Sequence, residues 1–343
     1  MKHLFNTLYV TTQGAYLAKE GETVVVRVEQ ETKLQVPIHT LAGIVCFGQV
    51  SCSPFLMGLC GERNVTISFL TENGRFLARV QGPVSGNVLL RREQYRRADD
   101  QVFACSTAKS IVEAKIANCR NIVQRSARER EEGEERAELD QAVLRLGMIV
   151  KEVDCLTDLD VVRGKEGDAA RVYFGVFDRL IVANKDTFVF KERSRRPPLD
   201  PVNALISFLY TLVVHDVRSA LEGVGLDPAV GFLHCERPGR PSLALDLMEE
   251  LRAPLADRLA LTLINRQQVQ PKGFQRSESG AVAMDDDTRK TVLTAYQERK
   301  REEVFHPFFE ENIAIGLIPH AQAMLLARYL RGELDAYPPF FWK

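Results

Sequence analysis

The sequence predicts an α+β fold, in which a small β-rich N-terminal domain of residues 1–82 precedes a larger helical domain of residues 83–343. A chain of 343 residues is long for one domain, because about 150 residues per domain is usual. Short runs rich in Val, Ile, Thr and aromatic residues fill the first part, whereas long segments with helical periodicity follow the segment QGPVSGN at 81–87. The change of pattern at this segment places the boundary.

The N-terminal strands are predicted from residues that favour β structure. These runs are LYVTT, AYLAKEGETVVVRVE, KLQVPI, GIVCFG and VTISFLTENGRFLARV. Turn-forming residues separate or interrupt them, including ENG at 72–74. The segment SPFLMGLCGER at 53–63 interrupts the strands and predicts a short helix.

Segments of like charge and helix-breaking residues divide the helical region. Residues 87–130 carry ten Lys or Arg against five Asp or Glu, which predicts a basic helical surface. An acidic segment follows, and Gly133 within it predicts a break between two helices. Residues 191–201, KERSRRPPLDP, predict a basic connector, because adjacent prolines cannot continue a helix. Residues 265–290 predict a long surface loop that re-enters a helix near Asp285.

The overall composition is that of an ordinary globular protein. The 45 Lys and Arg balance 46 Asp and Glu, so any attraction to nucleic acid must come from local segregation of charge. Seven cysteines without a C-x-x-C pair indicate reduced thiols. The start MKHLFNTLYV shows no signal peptide, and the apolar run LISFLYTLVV is about half the length of a membrane span. These features predict a cytoplasmic protein without a membrane segment.

The segment GFLHCERPGRPSLALDLMEELR, residues 231–252, carries the most informative group of acidic residues. Ser242 is a candidate N-cap, and leucines at helical spacing follow it. Asp246 lies three and four residues before Glu249 and Glu250, so it shares a helix face with each of them. Adjacent carboxylates repel unless a cation lies between them. The alternative is an amphipathic helix with a solvated acidic face.

Glu166 and His234 are the other candidate ligands. Two glycines flank Glu166 at the predicted start of a helix, where they would allow a ligand to approach closely; a favourable helix dipole is the alternative explanation. His234 taken alone is equally compatible with an ordinary structural histidine. If Glu166, His234 and Glu249 converge, with Asp246 as a further ligand or just behind them, the mixture of carboxylates and imidazole suits Mg²⁺ or Mn²⁺.

Other catalytic motifs are absent from the sequence. It has no G-x-S-x-G, H-E-x-x-H, G-x-x-x-x-G-K-[ST] or G-x-G-x-x-G motif, which argues against serine hydrolases, zincins, P-loop proteins and dinucleotide-binding folds. Cys235 follows His234, but adjacent residues rarely point at one another, so a thiol nucleophile is disfavoured. The metal hypothesis is the stronger one.

Several sequence blocks occur together in the order of one family. They are KEG at 165–167, PPLDPVNALISFLYTLV at 197–213, GLDPAVGFLH at 225–234, RPSLALDLMEELR at 240–252 and GAVAMDDDTRK at 280–290. The likeness extends to both ends of the chain, including the tail YPPFFWK. The chain resembles the CRISPR-associated adaptation endonuclease, the universal spacer-integrating Cas protein, and is most similar to its subtype I-C branch.

The resemblance implies specific roles for both domains. The N-terminal domain would contribute dimerisation and partner contacts, and residues 83–343 would form an all-α, metal-dependent catalytic domain. The implied catalytic residues are Glu166, His234, Glu249 and Asp246, the first three binding Mg²⁺ or Mn²⁺. Glu249 occupies a position where the family also has Asp, so the division of labour between Asp246 and Glu249 stays open.

The implied activity is DNA integration. Acting as a homodimer with a small CRISPR-associated partner subunit, such a protein inserts short DNA fragments into the CRISPR array by attack of a 3′-hydroxyl on a phosphodiester. It also cleaves branched or linear DNA with water as the nucleophile. Two alternatives remain: a non-catalytic DNA-binding assembly protein with a structural acidic and histidine cluster, and a metallohydrolase acting on a small phosphoester.

Binding of double-stranded and branched DNA needs a local basic surface, because phosphate contacts dominate the affinity for DNA. The candidate residues are basic and lie in the helical region, the connector and the polar loop. They are Arg91, Arg92, Arg96, Arg97, Arg193, Arg195, Arg196, Lys272 and Arg276. The alternative is that they belong to solvated helix faces. The aromatic tail could dock a partner or fold back on its own domain.

Overall fold

Strands dominate the N-terminal region of the computed structural model, which describes residues 6–72, 74–80, 82 and 88–342. The strands are β1 (Asn6–Val10), β2 (Tyr16–Glu20), β3 (Thr23–Val28), β4 (Glu31–Pro37), β5 (Leu41–Phe47), β6 (Ser51–Cys52), β7 (Thr66–Leu70) and β8 (Phe76–Val80). Helix α1 (Pro54–Glu62) interrupts them, with Ser53 accepting a hydrogen bond from the Leu56 N–H. The predicted strands and short helix are confirmed. Asn73 of the predicted turn and, except for Gly82, the boundary segment 81–87 lie outside the described residues.

The N-terminal strands form two sheets. One has the order β1-β5-β7-β8, with β8 antiparallel to β7 and the other pairs parallel. The other has the order β4-β3-β2-β6. Alternate residues of β5 face opposite sides, so Ile44 and Cys46 pack among the N-terminal strands while Val45 and Phe47 pack against the helical core. The first sheet therefore connects the two cores.

Helices follow in the remainder of the chain. They are α2 (Val88–Asp99), α3 (Gln101–Arg128), α4 (Glu134–Asp154), α5 (Leu159–Gly175), α6 (Pro201–Val224), α7 (Ser242–Leu251), α8 (Arg258–Asn265), α9 (Asp286–Arg301) and α10 (Ile318–Leu330). Gly133 is the N-cap of α4, and Asp285 is the N-cap of α9. The connector 191–200 contains no helix or strand and ends where Asp200 caps α6. These predicted breaks and starts are confirmed.

The prediction of an all-α second domain is wrong in detail. Two short antiparallel hairpins lie within it, formed by β9 (Phe274–Arg276) with β10 (Val282–Met284) and by β11 (Glu303–His306) with β12 (Glu311–Ala314). The first hairpin lies inside the segment predicted to be a loop. Strands of three or four residues carry too little alternating pattern to be recognised from sequence.

Helix α6 is the central element of the helical core. Its length and apolar composition would allow it to cross a membrane, and half of its most apolar window is buried inside the protein. Its buried side chains, including Leu205, Leu209 and Leu212, belong to the large helical core cluster. At its C-terminal end, Glu222 lies 2.5 Å from Arg79 of β8, and both side chains are nearly buried. This ion pair ties the N-terminal sheet to the helices.

Candidate metal centre

Helix α7 buries its acidic residues. Asp246, Glu249 and Glu250 are 0%, 1% and 0% exposed, so the alternative of a solvated acidic face is wrong. The predicted cap is also wrong: Ser242 is the first helical residue, and its hydroxyl donates to the Cys235 carbonyl at 3.2 Å. Carboxylates this deeply buried require hydrogen bonds or opposite charges.

Asp246 organises the loop that precedes α7. Its Oδ2 accepts the backbone N–H groups of Phe232 and Leu233 at 2.6 and 3.0 Å, and its Oδ1 accepts the backbone N–H of His234 at 2.9 Å. A Cβ at Gly231 would lie 2.6 Å from Oδ2, so only glycine lets the loop close around the carboxylate. Asp246 therefore acts on the site through the loop that carries His234.

The same carboxylate orients the His234 ring. Asp246 Oδ1 lies 2.6 Å from His234 Nδ1, and because a carboxylate accepts, Nδ1 donates. The second ring nitrogen, Nε2, lies 3.8 Å from Glu249 Oε1, beyond hydrogen-bonding distance. A histidine fixed through one nitrogen by a carboxylate presents the other as a metal ligand.

Lys115 connects the two glutamates. Its ammonium on α3 contacts Glu166 Oε1 and lies 2.7 Å from Glu249 Oε2. Glu166 lies in the middle of α5, so the prediction that it opens a helix is wrong, and the helix-dipole explanation fails with it. The predicted site residues thus form one chain of contacts, from Glu166 through Lys115 to Glu249, His234 and Asp246.

Cations keep Glu249 ionised. Burial alone would raise the pKa of its carboxyl, but the charges of Arg252 and Lys115 lower that pKa to about 2. Arg252 Nη2 lies 3.1 Å from Glu249 Oε1, and its guanidinium lies over the Tyr210 ring at 4.9 Å from the centroid. Glu249 is therefore a carboxylate at any physiological pH.

The carboxylate oxygens and the imidazole nitrogen are ligand types that suit a hard divalent cation. Glu249 Oε2 is buried, and the Lys115 ammonium lies 2.7 Å from it. Among the described residues, no three His, Cys, Asp or Glu side chains surround a common point as metal ligands. The Lys115 ammonium instead lies between the two carboxylates. The arrangement is an acidic pair held by an internal cation, with an oriented imidazole beside it.

The predicted DNA-binding arginines of α2 differ in whether they pair with a glutamate of the same helix. Arg96 and Arg97 pair with Glu93 at 3.5 and 2.8 Å. Arg92 is exposed, and Arg91 lines a cleft of about 650 Å³ together with other arginines of the loop that carries His234. The pairing of Arg96 and Arg97 is the weakly stabilising kind seen on helix surfaces, which phosphate can replace.

Arg193 does not belong to this surface. Its guanidinium donates to Asn203 Oδ1 at 2.5 Å and to Ser207 Oγ at 3.1 Å, and it lies 5.3 Å from the Tyr210 ring centroid. These contacts fasten the connector to α6. The prediction that Arg193 faces DNA is therefore corrected: its charge is used inside the protein.

The remaining predicted basic residues are exposed. They are Arg195, Arg196, Lys272 and Arg276. Arg195 also lines a small cavity shared with Lys115 and Arg252, which brings it near the acidic pair. Arg276 donates to the Leu199 carbonyl at 3.1 Å and so joins the β9–β10 hairpin to the connector.

Sequence reasoning missed the two cations of the centre. Lys115 lies on the buried face of α3 between Ile111 and Cys119, and a lysine within such an apolar stripe was the signal that could have revealed it. Arg252 follows Glu249 by three residues, a spacing at which helical side chains meet.

Comparison with known proteins identifies the family. The family model described as "CRISPR associated protein Cas1" matches residues 8–298. The chain belongs to the Cas1 family. It is 55% identical to "CRISPR-associated endonuclease Cas1 1" of Chlorobaculum tepidum and 53% identical to "CRISPR-associated endonuclease Cas1 2" of Rhodospirillum rubrum, with 100% of both chains covered in each case.

Solved structures share the Cas1 fold. The Cas1 protein TM1797 from Thermotoga maritima has a TM-score of 0.83 at 22% identity, covering 97% of this chain and 99% of that one. A "Cas6-RT-Cas1--Cas2 complex" chain has a TM-score of 0.85 at 20% identity, covering 100% and 37%. A "Casposase bound to integration product" has 0.83 at 20% identity, covering 97% and 93%. The family and fold implied by the resemblance are confirmed.

Proposed function

We propose that this chain is a metal-dependent DNA endonuclease and integrase of CRISPR adaptation, which inserts short DNA fragments into the CRISPR array by transesterification. The contact chain from Glu166 through the buried Lys115 and Glu249 to His234 supports it most directly. Its relatives at 53–55% identity carry the name CRISPR-associated endonuclease, and one structural neighbour is a casposase bound to its integration product. The likeness to subtype I-C is part of this proposal.

Glu166, His234 and Glu249 would hold Mg²⁺ or Mn²⁺. The ion would supply positive charge for the phosphodiester and lower the pKa of an attacking hydroxyl. Asp246 holds the His234 ring through Nδ1 and leaves Nε2 directed toward Glu249. All four residues are then catalytic or positioning residues, with Glu249 as the third ligand and Asp246 as the residue that positions His234.

The reaction is the same for joining and cleavage. A 3′-hydroxyl of the inserted fragment attacks the phosphorus of the array, a new phosphodiester forms, and the bond to the leaving 3′-oxygen breaks. With water as nucleophile the same displacement cleaves DNA. Arg252 and Lys115, both buried beside Glu249, keep the acidic site close to neutral until substrate phosphate enters.

DNA would bind along exposed basic residues, of which Arg195 lines a cavity shared with Lys115 and Arg252. Arg92, Arg195, Arg196 and Lys272 offer free guanidinium or ammonium groups for phosphates of double-stranded or branched DNA. We further propose that residues 1–82 and 83–343 are separate domains, and that the first contacts a small partner subunit and a second copy in a cytoplasmic homodimer complex. The Cas1–Cas2 assembly among the structural neighbours supports the partner.

The experiment compares strand transfer and DNA binding in matched variants. Glu166→Gln and His234→Ala should lose strand transfer and cleavage with Mn²⁺ by at least about 100-fold, while binding of a branched DNA stays within a few fold. Asp168→Asn is the control, because Asp168 lies on the same helix and pairs only with Arg171 among the described residues. It should retain wild-type activity.

Full strand transfer by both variants would refute the proposal. Loss of folding with no metal-dependent activity in the wild type would favour the non-catalytic DNA-binding assembly protein instead. Failure of duplex DNA to compete in a salt-dependent manner would favour a small phosphoester as substrate.

A further inference from the structure

We propose that Lys115 is the resident cation of the metal centre: its ammonium holds Glu166 and Glu249 together in the metal-free protein and opposes the entry of a divalent ion. The inference rests on the proposed function, because it takes the two glutamates to be metal ligands. It assigns to Lys115 a positioning role that sets metal affinity.

The contacts of Lys115 are those of a bound cation. Its ammonium touches Glu166 Oε1, lies 2.7 Å from Glu249 Oε2, and its side chain is 8% exposed. Among the described residues, Lys115 alone forms ion pairs with both Glu166 on α5 and Glu249 on α7, although the charge of Arg252 also acts on both. Without a cation between them, the buried Glu249 carboxylate and the partly buried Glu166 carboxylate would repel each other.

The Lys115 ammonium can move away from the two carboxylates, whereas the Arg252 guanidinium is held in place. Arg252 is anchored on Glu249 Oε1 and on the Tyr210 ring, and a guanidinium is planar and rigid. A lysine carries a compact charge on a flexible four-carbon stem. A cavity of about 20 Å³ adjoins the Lys115 side chain, and Tyr210 and Asp257 also line it. Apolar residues form most of the lining, and Asp257 is the carboxylate toward which the ammonium can turn.

The geometry gives Lys115 two opposite effects. It keeps Glu166 and Glu249 converged before metal arrives, which favours metal binding by preorganisation. Its charge also repels a divalent ion at a distance of a few ångströms, in a buried site where screening is weak. Arg252 holds Glu249 and Asp246 holds His234 independently of Lys115, so only Glu166 loses its ion pair when the ammonium is removed, and the repulsion should dominate.

Mn²⁺ binding to the full-length chain without DNA tests this assignment by isothermal titration calorimetry. Lys115→Met removes the charge and keeps the stem, Lys115→Arg keeps a charge, and Lys300→Met is the matched control. Lys300 is equally buried and pairs with Asp216 at 2.8 Å outside the centre. We expect Lys115→Met to bind Mn²⁺ at least tenfold more tightly than wild type, and Lys300→Met to bind it with wild-type affinity.

Stability gives the second readout. In EDTA, Lys115→Met should unfold at lower urea than wild type, and Mn²⁺ should restore more stability to it than to wild type or Lys115→Arg. If Lys115→Met is unfolded without metal, the Mn²⁺ concentration that restores its fold gives its affinity. A chain that stays unfolded at Mn²⁺ concentrations saturating for wild type would overturn the inference.

The outcomes separate this inference from the proposed function. Wild-type or weaker Mn²⁺ affinity in Lys115→Met, with Mn²⁺ binding lost in Glu166→Gln, would overturn the role of Lys115 and leave the metal centre standing. Equal Mn²⁺ binding by wild type and Glu166→Gln would remove the metal centre itself, and the inference with it.

Discussion

Glu249 and Glu250 are neighbours on α7 and equally buried, yet they face opposite environments. Glu249 faces Lys115 and Arg252, whose charges lower the pKa of its carboxyl to about 2 against the effect of burial. Burial raises the pKa of Glu250 to about 8, although hydrogen bonds from the Phe340 N–H, Tyr337 and Gln322 act in the opposite direction. Successive helical residues point about 100° apart, so one helix can serve both environments.

The Glu250 side of α7 holds the end of the chain. Tyr337 donates to Glu250 Oε1 at 2.7 Å, and Gln322 and the Phe340 N–H donate to Oε2 at 2.9 and 2.7 Å. We call Glu250, Gln322, Tyr337 and Phe340 the tail clasp. It shows that the aromatic tail folds back on its own domain, the second of the two alternatives considered for it. Two identical buried side chains therefore take different roles. Cationic neighbours keep Glu249 charged, whereas hydrogen-bond donors make Glu250 a structural anchor for the tail.

The largest expected effect comes from replacing each glutamate by glutamine in turn. Glu249→Gln should reduce Mn²⁺-dependent strand transfer by more than the roughly 10–100-fold typical for residues behind a metal ligand, because a ligand charge is lost. Glu250→Gln should keep most of the activity at a temperature where it is folded, and lose stability instead. Assays of strand transfer and urea unfolding on both variants decide between the two roles; equal losses of activity would contradict the distinction.

The sequence predicted one side of this comparison better than the other. The spacing of Asp246, Glu249 and Glu250 indicated shared helix faces. Glu166 and His234 were already candidate ligands, and the family resemblance implied their metal-binding roles. Arg252, three residues after Glu249, is the local difference between Glu249 and Glu250, and the other partners that separate them are distant in sequence. Their environments are set by Lys115, more than 100 residues earlier, and by Tyr337, 87 residues later than Glu250. Partners this far apart in the chain leave no pattern of residue spacing by which they could be recognised.

The same limit applies to the fold. Long helices and alternating strands were predicted because their apolar residues repeat with the period of the structure. The β9–β10 hairpin was predicted as a loop, because its register is set by contacts such as the bond from the Val282 N–H to the Pro198 carbonyl. Lys115 was counted among surface charges, although the helix period placed it on a buried face. Tertiary contacts therefore overrode the local sequence pattern at the β9–β10 hairpin and at Lys115.

The next prediction concerns the tail clasp alone. Tyr337→Phe removes the donor to Glu250 and the acceptor that lies 2.7 Å from Gln322 Nε2, so it should destabilise the protein by about 1–3 kcal/mol. In a double-mutant cycle with Glu250→Gln the two losses should not add, because the residues share a hydrogen bond. Urea unfolding measures both.

A matched control separates the clasp from general loss of stability. Tyr296 is also buried and donates to a carboxylate, Asp216, at 2.8 Å. Tyr337→Phe should speed removal of the tail by carboxypeptidase, and Tyr296→Phe should not. Equal digestion of the two variants would mean that the tail is held by its aromatic packing, such as the contact of Phe340 with His306, and not by the hydrogen bonds of the clasp.

The smallest expected effect is a pH dependence on the clasp side. His306 Nε2 donates to Gln322 Oε1 at 3.0 Å, and its Nδ1 is buried without a partner among the described residues. Burial lowers the pKa of His306 below 6.5, while the bond to Gln322 and the charge of Glu311 act in the opposite direction. Phe309 and Phe340 pack on the ring and keep it away from water.

The sign of the effect follows from proton uptake. As pH falls through 6.5, the unfolded chain protonates this histidine while the folded chain resists, so stability falls with pH by at most about 1.4 kcal/mol per unit until the lowered folded pKa is reached. Glu250, whose pKa burial raises to about 8, gains stability over the same interval in wild type and variants alike, so the readout is the difference from wild type. On going from pH 7.5 to 5.5, urea unfolding should show a more favourable change in stability for His306→Gln than for wild type, whereas His39→Gln, at an exposed histidine, should behave like wild type. If His306→Gln changes in stability as much as wild type does, the acid sensitivity comes from another buried group, such as His215, whose burial lowers its pKa to about 4.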